Sequence, residues 1–256
     1  MTGMRARSVT LGTRRLLAGG LAAAALAAGA AGCGSAASGS GSSPAAGSSA
    51  SPLARLSAEQ IGKQAIANLG KASSVHVAGV VSDSGDRIAL DLHLQGSHGC
   101  TGSMTLGAKG SVQLILIGKK VWLKPDKKFW RSFGGTSPAV LKMFAGKYLK
   151  TTLSGGMGGL GKLCKSSALA QAFQIDDSAD LVKGPATTIN GQPAIKLTDS
   201  GDSAAAYVST TSSPQLLRLS SPGKDGGRLD FTDYGEPVTV TPPPAAQTLD
   251  GKKYGF

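Results

Sequence analysis

Arg87-Ile88-Ala89-Leu90-Asp91-Leu92-His93-Leu94-Gln95 sets Ile88, Leu90, Leu92 and Leu94 in alternation with Arg87, Asp91, His93 and Gln95. A period of two places the aliphatic side chains on one face of an extended strand and the polar ones on the other. That pattern marks an antiparallel strand with one face on a core and one in water. Val75, Val77 and Gly79 give the strand before it. Residues 103–106, 112–117 and 120–124 continue the series, with turn signals at 107–110 and at Gly118-Lys119.

The rest of the domain builds outward from this meander. Ser57 and Gln60 have capping-box spacing, and Ile61, Ala65, Leu69 and Ala72 follow at helical intervals, so a helix is expected over 58–72. Ser137-Pro138 opens a short helix with Val140, Leu141 and Phe144 as its apolar stripe, and a second helical stretch is expected over 160–173. Strands return at 179–187, 192–199, 204–209, 215–220, 228–233 and 238–241. Asn190-Gly191, 199–202 and 223–227 separate them as turns. Helix, meander, helices, meander is an α+β order built on one large antiparallel sheet.

The N-terminal segment has a different composition. Arg5, Arg7, Arg14 and Arg15 precede an apolar run over 16–31 that is rich in Ala and Leu. Its sixteen residues fall short of the roughly 20 that span a bilayer, so it reads as an export signal. Ala30-Ala31-Gly32-Cys33 resembles the lipobox cleaved by lipoprotein signal peptidase. Residues 1–32 are then the signal peptide, and Cys33 becomes the diacylglyceryl-bearing N-terminus. The alternative is an ordinary secretory signal with an incidental cysteine. Arg14-Arg15 before Leu16-Leu17 leaves both the general and the twin-arginine export routes open.

Residues 34–52 contain only Gly, Ser, Ala and Pro and cannot bury apolar surface, so 33–52 reads as the lipidated cysteine and a disordered tether. Nineteen such residues reach about 24 Å on average. The folded domain is 53–256. With 27 basic and 15 acidic residues the formal charge is +12, but the four signal-peptide arginines leave +8 on the remainder. Together with export, that disfavours nucleic acid as a partner.

Gly191-Gln192-Pro193-Ala194-Ile195-Lys196-Leu197, Ala206-Tyr207-Val208-Ser209, Ser213-Pro214-Gln215-Leu216-Leu217-Arg218-Leu219, Leu229-Asp230-Phe231-Thr232-Asp233-Tyr234 and 238–242, in that order, resemble the C-terminal half of actinobacterial lipoproteins of the LppX/LprG type. Lys71-Ala72-Ser73-Ser74-Val75-His76-Val77 and Ile117-Gly118-Lys119-Lys120-Val121-Trp122-Leu123-Lys124 resemble the first half of the same plan. The resemblance covers most of the domain. It implies a curved antiparallel half-barrel with helices across its concave side and an apolar cavity between them that holds acyl chains. Similar lipoprotein carriers of Gram-negative envelopes do so.

The pattern of residues agrees with this in part, because a wide aliphatic sheet covered by a few short helices can leave a dry cavity. Leu90, Leu92, Leu94, Met104, Leu106, Leu114 and Leu116 are the candidate lining, and the same residues could equally fill an ordinary core. Cys100 and Cys164 form an even pair outside the cytosol, most simply a disulfide, with a reactive thiol or metal ligation as alternatives. His93, His98 and Cys100 lack a further spaced ligand, and both histidines are expected in solvent, so no metal site and no cofactor is assigned.

The string Gly156-Met157-Gly158-Gly159-Leu160-Gly161-Lys162 imitates a phosphate-binding loop. Leu163 occupies the position of the required hydroxyl and no βαβ unit surrounds it, so it reads as a flexible glycine loop. Ser221 and Lys224 form an S-x-x-K without its companion motifs. No nucleophile, base and orienting acid occur together, so an enzyme is not expected. Lys119, Lys120, Lys124, Lys127, Lys128 and Arg131 around Trp122, Phe129 and Trp130 form a basic and aromatic hairpin that could meet anionic headgroups or merely protect a strand edge. The expectation is a lipoprotein on the extracytoplasmic face of the membrane that binds or transfers an acyl-chain lipid without catalysis. The alternative is a surface interaction or sensor module with a filled core and an envelope protein partner.

Overall fold

The computed structural model describes residues 53–83, 85–133, 137–154, 156–175, 180–200, 203–224 and 226–255. The chain divides into Met1–Gly47 and Ser48–Phe256, and all described residues belong to the second unit. The expected signal peptide, Cys33 and the tether lie outside the described residues.

In chain order the elements are helix α1 (Ala58–Lys71), strands β1 (Val75–Asp83), β2 (Asp86–Gln95), β3 (Gly99–Leu106), β4 (Ser111–Ile117) and β5 (Lys120–Pro125), helices α2 (Lys127–Phe133) and α3 (Pro138–Phe144), and strand β6 (Tyr148–Thr152). A 3-10 segment (Gly156–Cys164) and helix α4 (Ser166–Ala172) follow. The second meander is β7 (Leu181–Ile189), β8 (Gln192–Asp199), β9 (Ala205–Ser209), β10 (Leu216–Ser221) and β11 (Gly227–Thr232), and β12 (Thr248–Asp250) lies near the C-terminus.

The twelve strands form one sheet in the order β12-β6-β5-β4-β3-β2-β1-β11-β10-β9-β8-β7. β7 and β12 are its free edges, so the sheet is an open, curved half-barrel of the α+β class. The two meanders meet at one seam, where β1 pairs antiparallel with β11 from His76 opposite Thr232 to Val80 opposite Arg228. Every pair is antiparallel except β12 on β6.

Local chemistry explains these elements. Ser57 accepts a bond from the Gln60 amide at 3.1 Å and the Gln60 side chain accepts one from the Ser57 amide at 2.9 Å, closing the capping box of α1. Ile61, Ala65 and Leu69 then bury one stripe of that helix against the sheet. Gly79 in β1 and Gly102 in β3 have φ of 146° and 157°, and a Cβ on either would lie 2.0 Å from a carbonyl oxygen of the neighbouring strand. Glycine at these two places lets the strands press together and the sheet bend.

The structure corrects three expectations and adds a strand. Residues 127–133 are a helix rather than the continuation of a hairpin, because Asp126 Oδ1 accepts the Phe129 amide at 2.7 Å and starts a turn. The stretch 160–173 is not one helix: a 3-10 segment ends at Cys164 and α4 begins at Ser166. Residues 238–241 form no strand, and the C-terminal chain instead reaches β6 through β12. β6 itself was not anticipated; its pattern of buried Leu149 and Thr151 against Lys150 is a strand signal only five residues long.

Two predictions follow from these ties. The disulfide between Cys100 and Cys164 closes a separation of 64 residues. Replacing both cysteines by Ala should lower unfolding free energy by about 4 kcal/mol on the chain-entropy model, read from urea midpoints at fixed m. Asp126 is partly buried, which alone would raise its pKa. Bonds from the Phe129 amide, the Ser111 hydroxyl and the Ser111 amide outweigh this and hold it below the ordinary carboxylate range. A depressed folded pKa contributes stability above the unfolded value and loses it as pH falls through the folded one. Asp126→Ala should therefore cost about 1 kcal/mol at pH 7 and less in acid, measured by urea unfolding across pH.

Candidate functional site

The concave face has two halves that are covered differently. Over β2 to β5, Leu92, Leu94, Cys100, Met104, Leu114, Leu116, Val121 and Leu123 are buried in one cluster with α1, the 3-10 segment and α4. The Cys100–Cys164 disulfide fixes the end of the 3-10 segment onto β3 with the two Cα atoms 5.3 Å apart. The glycine string that imitates a phosphate loop has a packing role here. A Cβ on Gly158 would meet the Thr152 carbonyl oxygen at 1.8 Å, and one on Gly161 would meet Val121 and Leu153 at 2.8 and 2.9 Å. The segment is seated against β5 and β6 through its glycines and is not a loose loop.

All seven residues nominated as cavity lining are in this filled half. Leu90, Leu92, Leu94, Met104, Leu114 and Leu116 are buried core, and Leu106 packs partly buried against them. None of them lines the cleft on β8 to β11 or the groove beside α2 and α3.

The apolar space lies in the other half. A cleft of about 480 Å³ sits on β8 to β11 and the end of β1, lined by Val81, Phe173, Ile175, Leu181, Leu197, Ala205, Ala206, Leu219 and Leu229. Three features open it. The strands carry small residues there, Ala204-Ala205-Ala206 on one side and Gly226-Gly227 on the other. α4 ends at Ala172, and Phe173 and Ile175 beyond it line the cleft. The N-terminal part of α1 gives way to Ile175, whose Cδ1 is 2.3 Å from where a Cβ on Gly62 would be. Phe173 is held edge-on to Phe231 with ring centroids 5.9 Å apart. The sequence signal for this cleft was the alanine run within an otherwise aliphatic strand.

The charged side chains of β10 and β11 are paired with one another. Arg228 Nε donates to Asp230 at 2.8 Å, and Arg218 pairs with the same carboxylate. Partial burial pushes the Asp230 pKa up, but bonding and charge from the two arginines hold it below the usual range. Tyr234, whose hydroxyl donates to the Leu216 carbonyl at 2.8 Å, has its pKa raised by burial and stays neutral.

The basic and aromatic patch separates into two parts. Trp122, Phe129 and Trp130 are buried, Trp130 stacking on Phe144 at 4.8 Å, so the aromatic rings are core. Lys124, Lys127 and Arg131, joined by Lys142, line a groove of about 730 Å³ between the β4–β5 hairpin and helices α2 and α3. Asp126 is the acid in that lining, and its oxygens are occupied by Ser111 and Phe129. Of the residues weighed as metal ligands, Cys100 is in the disulfide, His98 is exposed in the β2–β3 turn, and His93 stacks on His76. Among the described residues no helix is long and apolar enough to cross a membrane.

Fold and cleft together define an α+β half-barrel with an apolar pocket on its concave side. Solved structures similar to it include LprF from Mycobacterium bovis, 14% identical over 73% of this chain and 96% of that one with a TM-score of 0.45. They also include the Mycobacterium tuberculosis lipoprotein LppX, 16% identical over 72% and 98% with a TM-score of 0.45. A LolA superfamily protein from Nitrosomonas europaea is 13% identical over 75% and 96%, with a TM-score of 0.25. LprF and LppX are of the lipoprotein type that the strand motifs resemble. At these identities and scores the likeness says nothing of ligand or activity. No family model matches the chain, and no curated protein matches it.

The seating of the glycine string is directly testable. Gly158→Ala must displace backbone and should cost about 1–3 kcal/mol, whereas Gly159→Ala, which meets nothing within 4 Å, should stay within about 0.5 kcal/mol. Urea midpoints of the two variants decide it; equal midpoints would contradict the packing role.

Proposed function

We propose that the protein is a membrane-anchored envelope lipoprotein that binds an acyl chain in the cleft on β8 to β11 and holds or transfers the lipid without catalysis. The observation that carries this reading is the cleft: about 480 Å³ with an aliphatic and aromatic lining, within the roughly 300–1,000 Å³ of small-molecule sites. Apolar cavities stay dry and accept hydrocarbon. At about 0.8 kcal/mol per buried CH₂, a segment of roughly ten carbons gains on the order of 8 kcal/mol before association costs, enough for a reversible carrier.

In this reading residues 1–32 direct export, Cys33 carries the diacylglyceryl anchor, and 34–52 is the tether that lets domain 53–256 work on the extracytoplasmic face of the membrane. A tether reach of about 24 Å keeps the cleft close to the lipid surface. The leucines on β2 to β4, proposed from sequence as the lining, serve as the firm half of the sheet, and the ligand contacts move to Val81, Leu197, Ala206 and Leu219.

Binding of a fluorescent long-chain fatty acid to the exported protein tests the proposal. Saturable binding with micromolar Kd is expected. Ala206→Phe, which fills the cleft from its floor, should weaken it at least about tenfold while leaving the thermal midpoint nearly unchanged. Undiminished binding by that variant would exclude this cleft, and no binding by the parent would exclude the acyl-carrier reading. Cys33→Ala should move the protein from the membrane fraction to the soluble exported fraction.

A further inference from the structure

At the end of the sheet away from the cleft, His76 on β1 and His93 on β2 are cross-strand partners on the convex face. Their rings stack with centroids 3.9 Å apart and planes 6° from parallel. Asp233 follows β11 directly, in a left-handed conformation with φ of 54°, an unusual geometry for a residue with a side chain. The turn is closed by the Glu236 amide donating to the Asp233 carbonyl at 3.2 Å and the Gly235 amide donating to the Ser74 carbonyl at 3.3 Å. One Asp233 carboxylate oxygen lies 3.5 Å from His76 Nδ1. One ligand atom from each of His76, His93 and Asp233 lies within 4.8 Å of the others.

The opposite edge of the His76 ring supplies the second half of the arrangement. His76 Nε2 is 2.8 Å from Asp91 Oδ1. A carboxylate accepting the proton of one ring nitrogen fixes the tautomer and leaves the lone pair on the other nitrogen for a metal. Thr232 Oγ1, 3.3 Å from His76 Nδ1, is the remaining polar neighbour on that edge and can turn its hydroxyl away. From this geometry we infer that His76, His93 and Asp233 bind a borderline divalent transition metal, with Zn²⁺ as the reference ion and Asp91 as the residue that orients His76.

Two imidazoles and one carboxylate favour Zn²⁺, Cu²⁺ or Ni²⁺ over Mg²⁺ or Ca²⁺, which seek all-oxygen sites. Bonds of about 2.0–2.1 Å place tetrahedral ligand atoms roughly 3.4 Å apart, so the three groups need to close by about 1.4 Å at most and the His93 ring must rotate out of its stack on His76 to aim its lone pair at the same ion. His93 and Asp233 can move to do so, with side chains 45% and 56% exposed. Three protein ligands leave one position open to water or to a donor from another molecule. The metal would join β1 and β2 to the chain leaving β11, across the seam where the two meanders meet. It would therefore hold together parts of the sheet whose contact is long-range in sequence.

Titration of the EDTA-treated full-length protein with ZnCl₂, followed by calorimetry, tests this. One equivalent should bind with micromolar or tighter Kd, and the thermal midpoint should rise with Zn²⁺ concentration. His93→Gln should abolish the rise. Asp91→Asn should keep the stoichiometry and weaken affinity about 10–100-fold. His98→Gln should change nothing. Each variant's midpoint in EDTA serves as the folding check, and Co²⁺ absorption bands of the parent give an independent reading of nitrogen and oxygen ligation. No saturable binding at millimolar Zn²⁺, or binding retained in a folded His93→Gln variant, would overturn the site.

Discussion

The sheet has more apolar concave face than its helices can cover, and most of the structure follows from that mismatch. Twelve strands at about 4.8 Å spacing extend roughly 50 Å from edge to edge. The cover is α1, about 20 Å long, the 3-10 segment and the seven-residue α4. A helix is about 10 Å across, so such a layer seals part of the face and leaves the rest to side-chain bulk. Where bulk is large, the face is core. Where the strands turn to alanine and glycine, a cleft remains.

The position of the cover is fixed covalently and by fit. The disulfide and the seated glycines hold the 3-10 segment on β3, β5 and β6, and Ser166 Oγ donates to the Gly70 carbonyl at 3.2 Å, joining α4 to α1. These ties commit the 3-10 segment to the first meander and its leucines, and α4 to α1. The second meander is covered by α1, whose Ile61, Ala65 and Leu69 are buried in the same core as Leu197, Leu216 and Leu229 and whose Asn68 donates to the Pro214 carbonyl at 2.8 Å, and by Phe173 and Ile175 beyond α4. A rigid half and an adaptable half suit a binder of flexible chains: the first preserves the shape of the sheet, and the second can accept hydrocarbon without unfolding it.

Strand periodicity made the two meanders legible, because one face of each strand is buried and a shift of one residue would invert it. The capping pair Ser57 and Gln60 made α1 legible in the same way, and Asn190-Gly191, with φ of 50° and 79°, is the turn between β7 and β8. Periodicity identifies an apolar face but not what lies over it. Leu90 to Leu116 were therefore read as possible lining when the chain places them under a cover joined to β3 from 64 residues away. β12 was hidden because it is three residues long and is held by the edge of β6. α2 was hidden because its Phe129 and Trp130 resembled the aromatic residues of a hairpin, and the cap is seen only in the bond that Asp126 accepts from the Phe129 amide. The cluster of His76, His93 and Asp233 draws on β1, β2 and the exit of β11, and so depended on a pairing of β1 with β11 that no local pattern announces.

Native mass spectrometry of the exported protein tests the central claim most directly. The account predicts a fraction carrying a noncovalent mass of an acyl-chain lipid, removed by solvent extraction and restored by added lipid, with the Cys100–Cys164 disulfide intact. A single apo mass that stays unchanged when acyl lipids are supplied to the folded, oxidised protein would contradict it.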